Sequence, residues 1–381
     1  MPVLGVTQII TWGSIYYTPV LIVPLIAKER GWSMAFAMGG FSVGLLATGL
    51  VSPYVGRTID RIGGHVVMGI GSLIGAAGLA LISVASHPLA YLAVWIVLGV
   101  AMAANLYDSA FATLGRIFGA AARRPITALT LAGGFASTVS WPVTHFLIEG
   151  VGWQRTYLIY AAVLALVAAP LHAFVLPRHH AKTEPPSPAA DGKPSKVLSP
   201  NGAAFLLVAA AFTAYAFVPS GLAAHLLAIF NREGIDSATV VWIGALFGPA
   251  QVGARLIEFA FGRNVHPLWV ARGALTVLLC GFLVLLFAGF SVATATAFAL
   301  MFGGANGLIT ITRGAVPLAL FGPHGYGRLI GRLAGPFQLM QAAAPLLMAF
   351  VVERFSDPMA LGVAAAFAAV ALVCFVTIRR P

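Results

Sequence analysis

The chain has 381 residues, 60% of them hydrophobic and only 9% charged, with a formal net charge of +11. A water-soluble domain of this size cannot cover its surface with so few charges, which excludes a soluble enzyme. The basic residues lie in short loops between apolar runs, so their excess reflects orientation in a bilayer and not a nucleic-acid partner.

Apolar runs of roughly 20 residues, long enough to span a lipid bilayer, recur along the chain. Twelve are counted, giving an all-α polytopic membrane protein with twelve transmembrane helices. The first run, 3–26, is too long for a signal-peptide core and lacks a basic start. Cys280 and Cys374 stand alone inside apolar runs and define neither a CxxC site nor a disulfide framework. No metal or cofactor is expected. Met34 and Met38 read as helix packing, and His179-His180 as a solvated pair.

Numbered in chain order, run 1 carries Thr7, Gln8, Thr11, Trp12, Ser14, Tyr16 and Tyr17. Such polar density suits a face that meets a cavity, the alternative being hydroxyls and rings packed on neighbouring helices. Run 2 begins near Met34 and ends in Gly56-Arg57-Thr58-Ile59-Asp60-Arg61-Ile62-Gly63-Gly64. The two final glycines permit a tight reversal, and Arg57, Asp60 and Arg61 make a compact charged knot. Run 3 (66–84) is rich in Gly and Ala, which favours close helix approach.

Run 4 (91–115) holds Asn105 and Asp108, whose spacing predicts a shared helix face, and Arg116 closes it. A carboxylate as deep as Asp108 is a functional-site candidate, with a structural hydrogen bond as the other reading. Arg123-Arg124-Pro125 opens run 5, where His145 reads as a hydrogen-bonded helix residue, and run 6 ends near His172. From 177 to 200, six prolines, four basic residues and no apolar periodicity predict a flexible linker. The expected domains are therefore a first bundle over 1–176, a cytoplasmic linker over 177–200 and a second bundle over 201–381.

Run 7 has Thr213, Tyr215 and Ser220. Run 8 carries Arg255 and Glu258 one turn apart. Run 10 reads Gly303-Gly304-Ala305-Asn306-Gly307 and then Thr310, Thr312 and Arg313, while run 11 offers Gln338 and Gln341. The second half repeats the first: Arg255-x-x-Glu258 echoes Arg57-x-x-Asp60, and Phe321-Gly322 echoes Phe118-Gly119. Leaving aside the intramembrane Arg255 and Arg313, 15 Lys and Arg fall on the side of the linker and five on the other. That bias predicts both termini in the cytoplasm of a multi-pass protein of the cell (inner) membrane.

The knot, G-x-x-x-D-R-x-G over Gly56–Gly63, resembles the loop between helices 2 and 3 of the major facilitator superfamily of secondary transporters. It departs from that family where Gly64 and His65 follow in place of a basic residue. The resemblance implies two pseudo-symmetric six-helix bundles, with helices 1, 4, 7 and 10 lining a central cavity. It implies a cytoplasmic gate of Gly56, Arg57, Asp60, Arg61, Gly63 and Arg116, matched by Arg255 and Glu258 in the second half. Asp60 is expected to pair with Arg116 and to meet the amino terminus of helix 11.

Polar residues of the cavity helices then become substrate-binding candidates: Tyr16, Asn105, Tyr215, Asn306 and Arg313, joined by Gln338 and Gln341. Arg313 suits a carboxylate because its planar fork donates two parallel hydrogen bonds and stays charged. Asp108 is the proton-coupling candidate; a direct Asp108–Arg313 salt bridge is the alternative. Gln8-Ile-Ile-Thr-Trp12-Gly13-Ser-Ile-Tyr16-Tyr17 and Gly31-Trp32-Ser33 resemble the oxalate/formate and monocarboxylate porter branch, which implies a small organic anion. The expected partners are that solute, protons and the lipid bilayer, with the protein acting as a monomer. Proton-antiport efflux of drugs, or a non-transporting receptor of the same fold, are the alternatives.

Overall fold

Helix starts follow from side chains that satisfy the otherwise orphaned N–H groups of a first turn. Ser33 accepts from the N–H of Phe36 at 3.1 Å and opens Met34–Ile62. Asp236 accepts from Thr239 at 3.0 Å ahead of Ser237–Ala245. Ser291 and Thr294 cap each other's backbone at the head of Val292–Phe321. The structure, a computed structural model, describes residues 2–178, 198–223 and 225–378, with the side chain of Arg263 left aside. Most of the expected linker, 179–197, and the terminal Arg379-Arg380 lie outside the described residues.

Ten helical runs among the described residues are long and apolar enough to cross a membrane. One of them, Pro88–Val175, has 88 residues. That is about 130 Å of helix against a hydrocarbon core of about 30 Å. Glycines with left-handed φ interrupt it, Gly119 at 55° and Gly152 at 81°, dividing it into 88–118, 123–151 and 153–175. The spans are thus span 1 (Pro2–Arg30), span 2 (Met34–Ile62), span 3 (Gly64–Val84), span 4 (88–118), span 5 (123–151) and span 6 (153–175). Span 7 (Ala203–Leu222), span 8 (Ser237–Phe261), span 9 (Pro267–Ala288), span 10 (Val292–Phe321), span 11 (Tyr326–Arg354) and span 12 (Asp357–Thr377) follow.

By contacts the chain divides into two compact units. The first is Met1–Lys182 with Pro323–Gly335, and the second is Thr183–Gly322 with Pro336–Pro381. In the first, spans 2 and 3 pack on span 4 around Tyr91, Trp95, Met102 and Phe111, all fully buried. In the second, span 10 packs on spans 8 and 9, and span 7 on span 12, around Phe217, Phe282, Phe298 and Phe375. Large apolar side chains such as Phe146, Trp242 and Phe287 are left exposed, as expected of helices whose outer faces meet lipid.

Two glycines make the hinge between spans 2 and 3. Gly63 takes φ 96°, a value that disfavours any residue with a Cβ. At Gly64 a Cβ would collide with Thr113 of span 4. The reversal therefore takes one residue, and span 3 starts in contact with span 4.

Candidate functional site

In the first unit the charged knot meets the start of span 11. The Asp60 carboxylate accepts from the backbone N–H groups of Gly327 at 2.8 Å and Arg328 at 2.7 Å. A carboxylate on the amino terminus of a helix satisfies orphaned donors and complements the helix dipole. The expected Asp60–Arg116 pairing takes a different form. Arg116 donates to the backbone carbonyl of Asp60, while the carboxylate itself takes the two N–H groups of span 11; the Arg116 charge still acts on that carboxylate. Arg57 lies over the Tyr54 ring of its own helix, 5.5 Å from the centroid, and Arg61 is exposed.

Small residues let the two backbones touch. A Cβ on Gly56 would collide with the Gly327 carbonyl, and one on Gly331 with the Ser52 carbonyl. On Gly335 it would stand 3.4 Å from the Gly49 carbonyl. Gly327, Gly331 and Gly335 recur every four residues, so they line one face of span 11. Tyr326 is 1% exposed and covers Gly115 of span 4, where no Cβ would fit.

Span 4 is not one continuous helix. It breaks at Leu106, where ψ reaches −169°, between Pro88–Asn105 and Tyr107–Phe118. Asn105 and Asp108 therefore do not share a helix face as their spacing predicted, since the 3.6-residue period fails across the break. The buried Asn105 side chain donates to the Ala101 carbonyl at 3.1 Å and accepts from Ser72 at 3.1 Å. The Ser72 hydroxyl also lies 3.0 Å from Nδ1 of the buried His172. Gln8 donates to the freed Asn105 carbonyl at 2.6 Å, Ser109 donates to that of Ala103, and Trp12 donates to Gln8 Oε1 at 3.0 Å.

Asp108 stands in the first turn of the helix after this break and acts electrostatically on Tyr326. Tyr16 joins an aromatic cluster with Trp12, Tyr17 and Phe41, at centroid distances of 4.7, 5.4 and 5.3 Å. The supporting roles of Gln8, Ser72, Ser109 and His172 were missed in the sequence. The available signal was a histidine and an amide inside otherwise apolar runs, which hydrocarbon does not tolerate without partners.

In the second unit the Tyr215 hydroxyl donates to Asn306 Oδ1 at 2.6 Å, joining spans 7 and 10. Arg255 is 3% exposed, with Nε 3.4 Å from the Gly307 carbonyl, and its charge and that of Arg313 both act on Tyr215. The structure thus brings Arg255 to the polar cluster of spans 7 and 10, while Glu258, one turn on, lies against Gly262. The Arg313 guanidinium lies over the Phe337 ring, 3.7 Å from the centroid. Gln338 is 7% exposed, and its Oε1 accepts no hydrogen bond among the described residues. The Gln341 carbonyl accepts from Ser220 at 2.9 Å.

A span broken at a cluster of buried polar residues, in a chain of apolar helices, is an arrangement that helical membrane transporters use. The Major Facilitator Superfamily model matches residues 4–312, and the chain belongs to that family. No curated protein is detectably similar in sequence. Solved structures share the fold at low identity. The human organic anion transporter MFSD10 is 17% identical with a TM-score of 0.72, over 98% of this chain and 97% of its own. The E. coli fucose:proton symporter FucP is 12% identical with a TM-score of 0.74, over 100% and 99%. A bacterial homologue of the iron transporter ferroportin, in an outward-facing state, is 15% identical with a TM-score of 0.70, over 98% of each chain.

Proposed function

We propose that this transporter moves a small organic anion, of the monocarboxylate class, by alternating access coupled to protons. It would do so as a monomer in the cell (inner) membrane with both termini cytoplasmic. The observation that carries the reading is Arg313, stacked on Phe337 about 12 Å from the end of span 10. A ring-stacked guanidinium keeps its N–H fork in its own plane, the geometry that takes a carboxylate bidentately. Tyr215, Asn306, Gln338 and Gln341 of the same unit supply neutral contacts, and Tyr16 and Asn105 are the candidates on the first. Among the structural neighbours, MFSD10 transports organic anions and FucP couples its sugar to protons, and both are consistent with this class.

Asp108 takes and releases the coupling proton. It stands on the helix after the break, Tyr107–Phe118, whose Gly115 is covered by Tyr326, the residue next to the Gly327 that binds Asp60. Gly56, Arg57, Asp60, Arg61, Gly63 and Arg116 form the cytoplasmic gate. Arg255 and Glu258 serve the second half, with Arg255 tying that gate to the Tyr215 cluster. The test is uptake of labelled monocarboxylates into vesicles holding the purified protein, with and without a pH gradient. Gradient-driven accumulation that becomes exchange only in Asp108→Asn is the expected result. Full accumulation by Asp108→Asn removes it from the proton role, and binding of anions without flux makes the protein a receptor.

A further inference from the structure

Spans 3 and 6 leave a groove of about 470 Å³ on the first unit. Its floor is made of small residues, Gly69, Ala169 and Ala173, and its rims are Ile70 and Phe174. Ile70 is 52% exposed and Phe174 76%, so on spanning helices the groove opens toward hydrocarbon. At the end nearest the knot the lining turns basic, with His65 and Arg178. Arg116 stands just behind them: a Cβ on Gly63 would lie 2.8 Å from His65 Nδ1 and 3.6 Å from Arg116 Nε. The buried His65 Nδ1 has no hydrogen-bond partner among the described residues. Among the described residues no carboxylate lines the groove.

An apolar channel of this kind, capped by the Arg178 guanidinium and the His65 imidazole where span 3 begins, matches the chemistry of a lipid that ends in a phosphate. We propose that it binds an anionic phospholipid, with one acyl chain lying along Gly69 and Ala173 and the phosphate held by Arg178 and His65. From His65 to Leu73, eight helical steps of span 3 give the channel about 12 Å of length. The chain beyond Arg178, His179-His180-Ala181-Lys182-Thr183-Glu184, contains no apolar run that suits such a channel.

The purified full-length protein is mixed in detergent with equal amounts of phosphatidylglycerol and phosphatidylcholine, and bound lipid is read by native mass spectrometry. Phosphatidylglycerol should be retained about fivefold more tightly, the effect of the one fixed cation at the site, Arg178. Arg178→Gln should lower its retention about fivefold and that of phosphatidylcholine, whose choline offsets the phosphate charge, by less. Ala173→Phe, which fills the floor, should remove the most tightly held lipid. If that variant does not unfold at the wild-type temperature, Arg178→Gln, at an exposed position, decides the matter with His65→Gln. Equal retention of the two lipids overturns the proposal, as does a preference for phosphatidylglycerol that survives both polar substitutions. Deletion of 183–196 should change neither lipid. If it raises both alike, the linker occupies the groove and the proposal fails.

Discussion

Asp60 holds Gly327: its carboxylate accepts the Gly327 N–H at 2.8 Å, across 267 positions of sequence. This bond and the adjacent one from Arg328 join the end of span 2 to the first turn of span 11 within one unit. Asp60→Asn keeps an acceptor but loses the charge and one of the two bonds. Hydrogen bonds to a charged group contribute about 1.5–3 kcal/mol, so the clasped state should lose at least about tenfold in population. Turnover should slow while anion binding, read by thermal shift, remains detectable. Normal flux in this variant would remove Asp60 from the gate.

The glycine face of span 11 yields a graded prediction. At Gly331 a Cβ meets backbone that cannot turn aside, whereas at Gly335 it makes an ordinary contact at 3.4 Å. Gly331→Ala should part the two helices and impair flux severely. Gly335→Ala should stay close to wild type. Flux measured side by side follows the difference, and equal flux in the two variants would contradict it.

The break in span 4 depends on Gln8. With Gln8→Leu the buried Asn105 carbonyl loses the side-chain donor that reaches it at 2.6 Å. A buried acceptor left without its donor costs about 1–3 kcal/mol, and the apparent melting temperature should fall by several degrees. Ser72→Ala should add less than its own separate effect, because Ser72 and Gln8 both bear on Asn105 and shared partners couple. Strictly additive losses would mean that the two contacts act independently.

Arg313 separates charge from shape. Arg313→Lys keeps the charge but loses the planar fork and the face that lies 3.7 Å over Phe337. Anion affinity should fall about tenfold, and Arg313→Gln should remove it. Vesicle uptake at several anion concentrations distinguishes this from a role in turnover, since a binding role raises KM with kcat largely kept. An unchanged KM in Arg313→Lys would place the substrate elsewhere.

Much of the class was legible in the sequence, because the bilayer demands it. Hydrocarbon requires backbone polar groups to be satisfied within the protein, and apolar runs of about 20 residues do so as helices. Composition and run length therefore determined an all-helical membrane protein, and the knot at Gly56–Gly63 carried the family. Asp60 and Arg116 were recognisable as charges at span ends, since ends are where charges persist. What each side chain touches was settled only by the tertiary structure. The sequence period predicted one face for Asn105 and Asp108, but the chain breaks at Leu106 because Gln8 and Ser109, from an earlier helix and the next turn, take the carbonyls the break releases. The Asp60 carboxylate likewise bonds span 11 rather than Arg116, since two backbone N–H groups reach it from residues 267 and 268 positions away. Periodicity reports one helix at a time; which orphaned donor meets which acceptor depends on the packing of several.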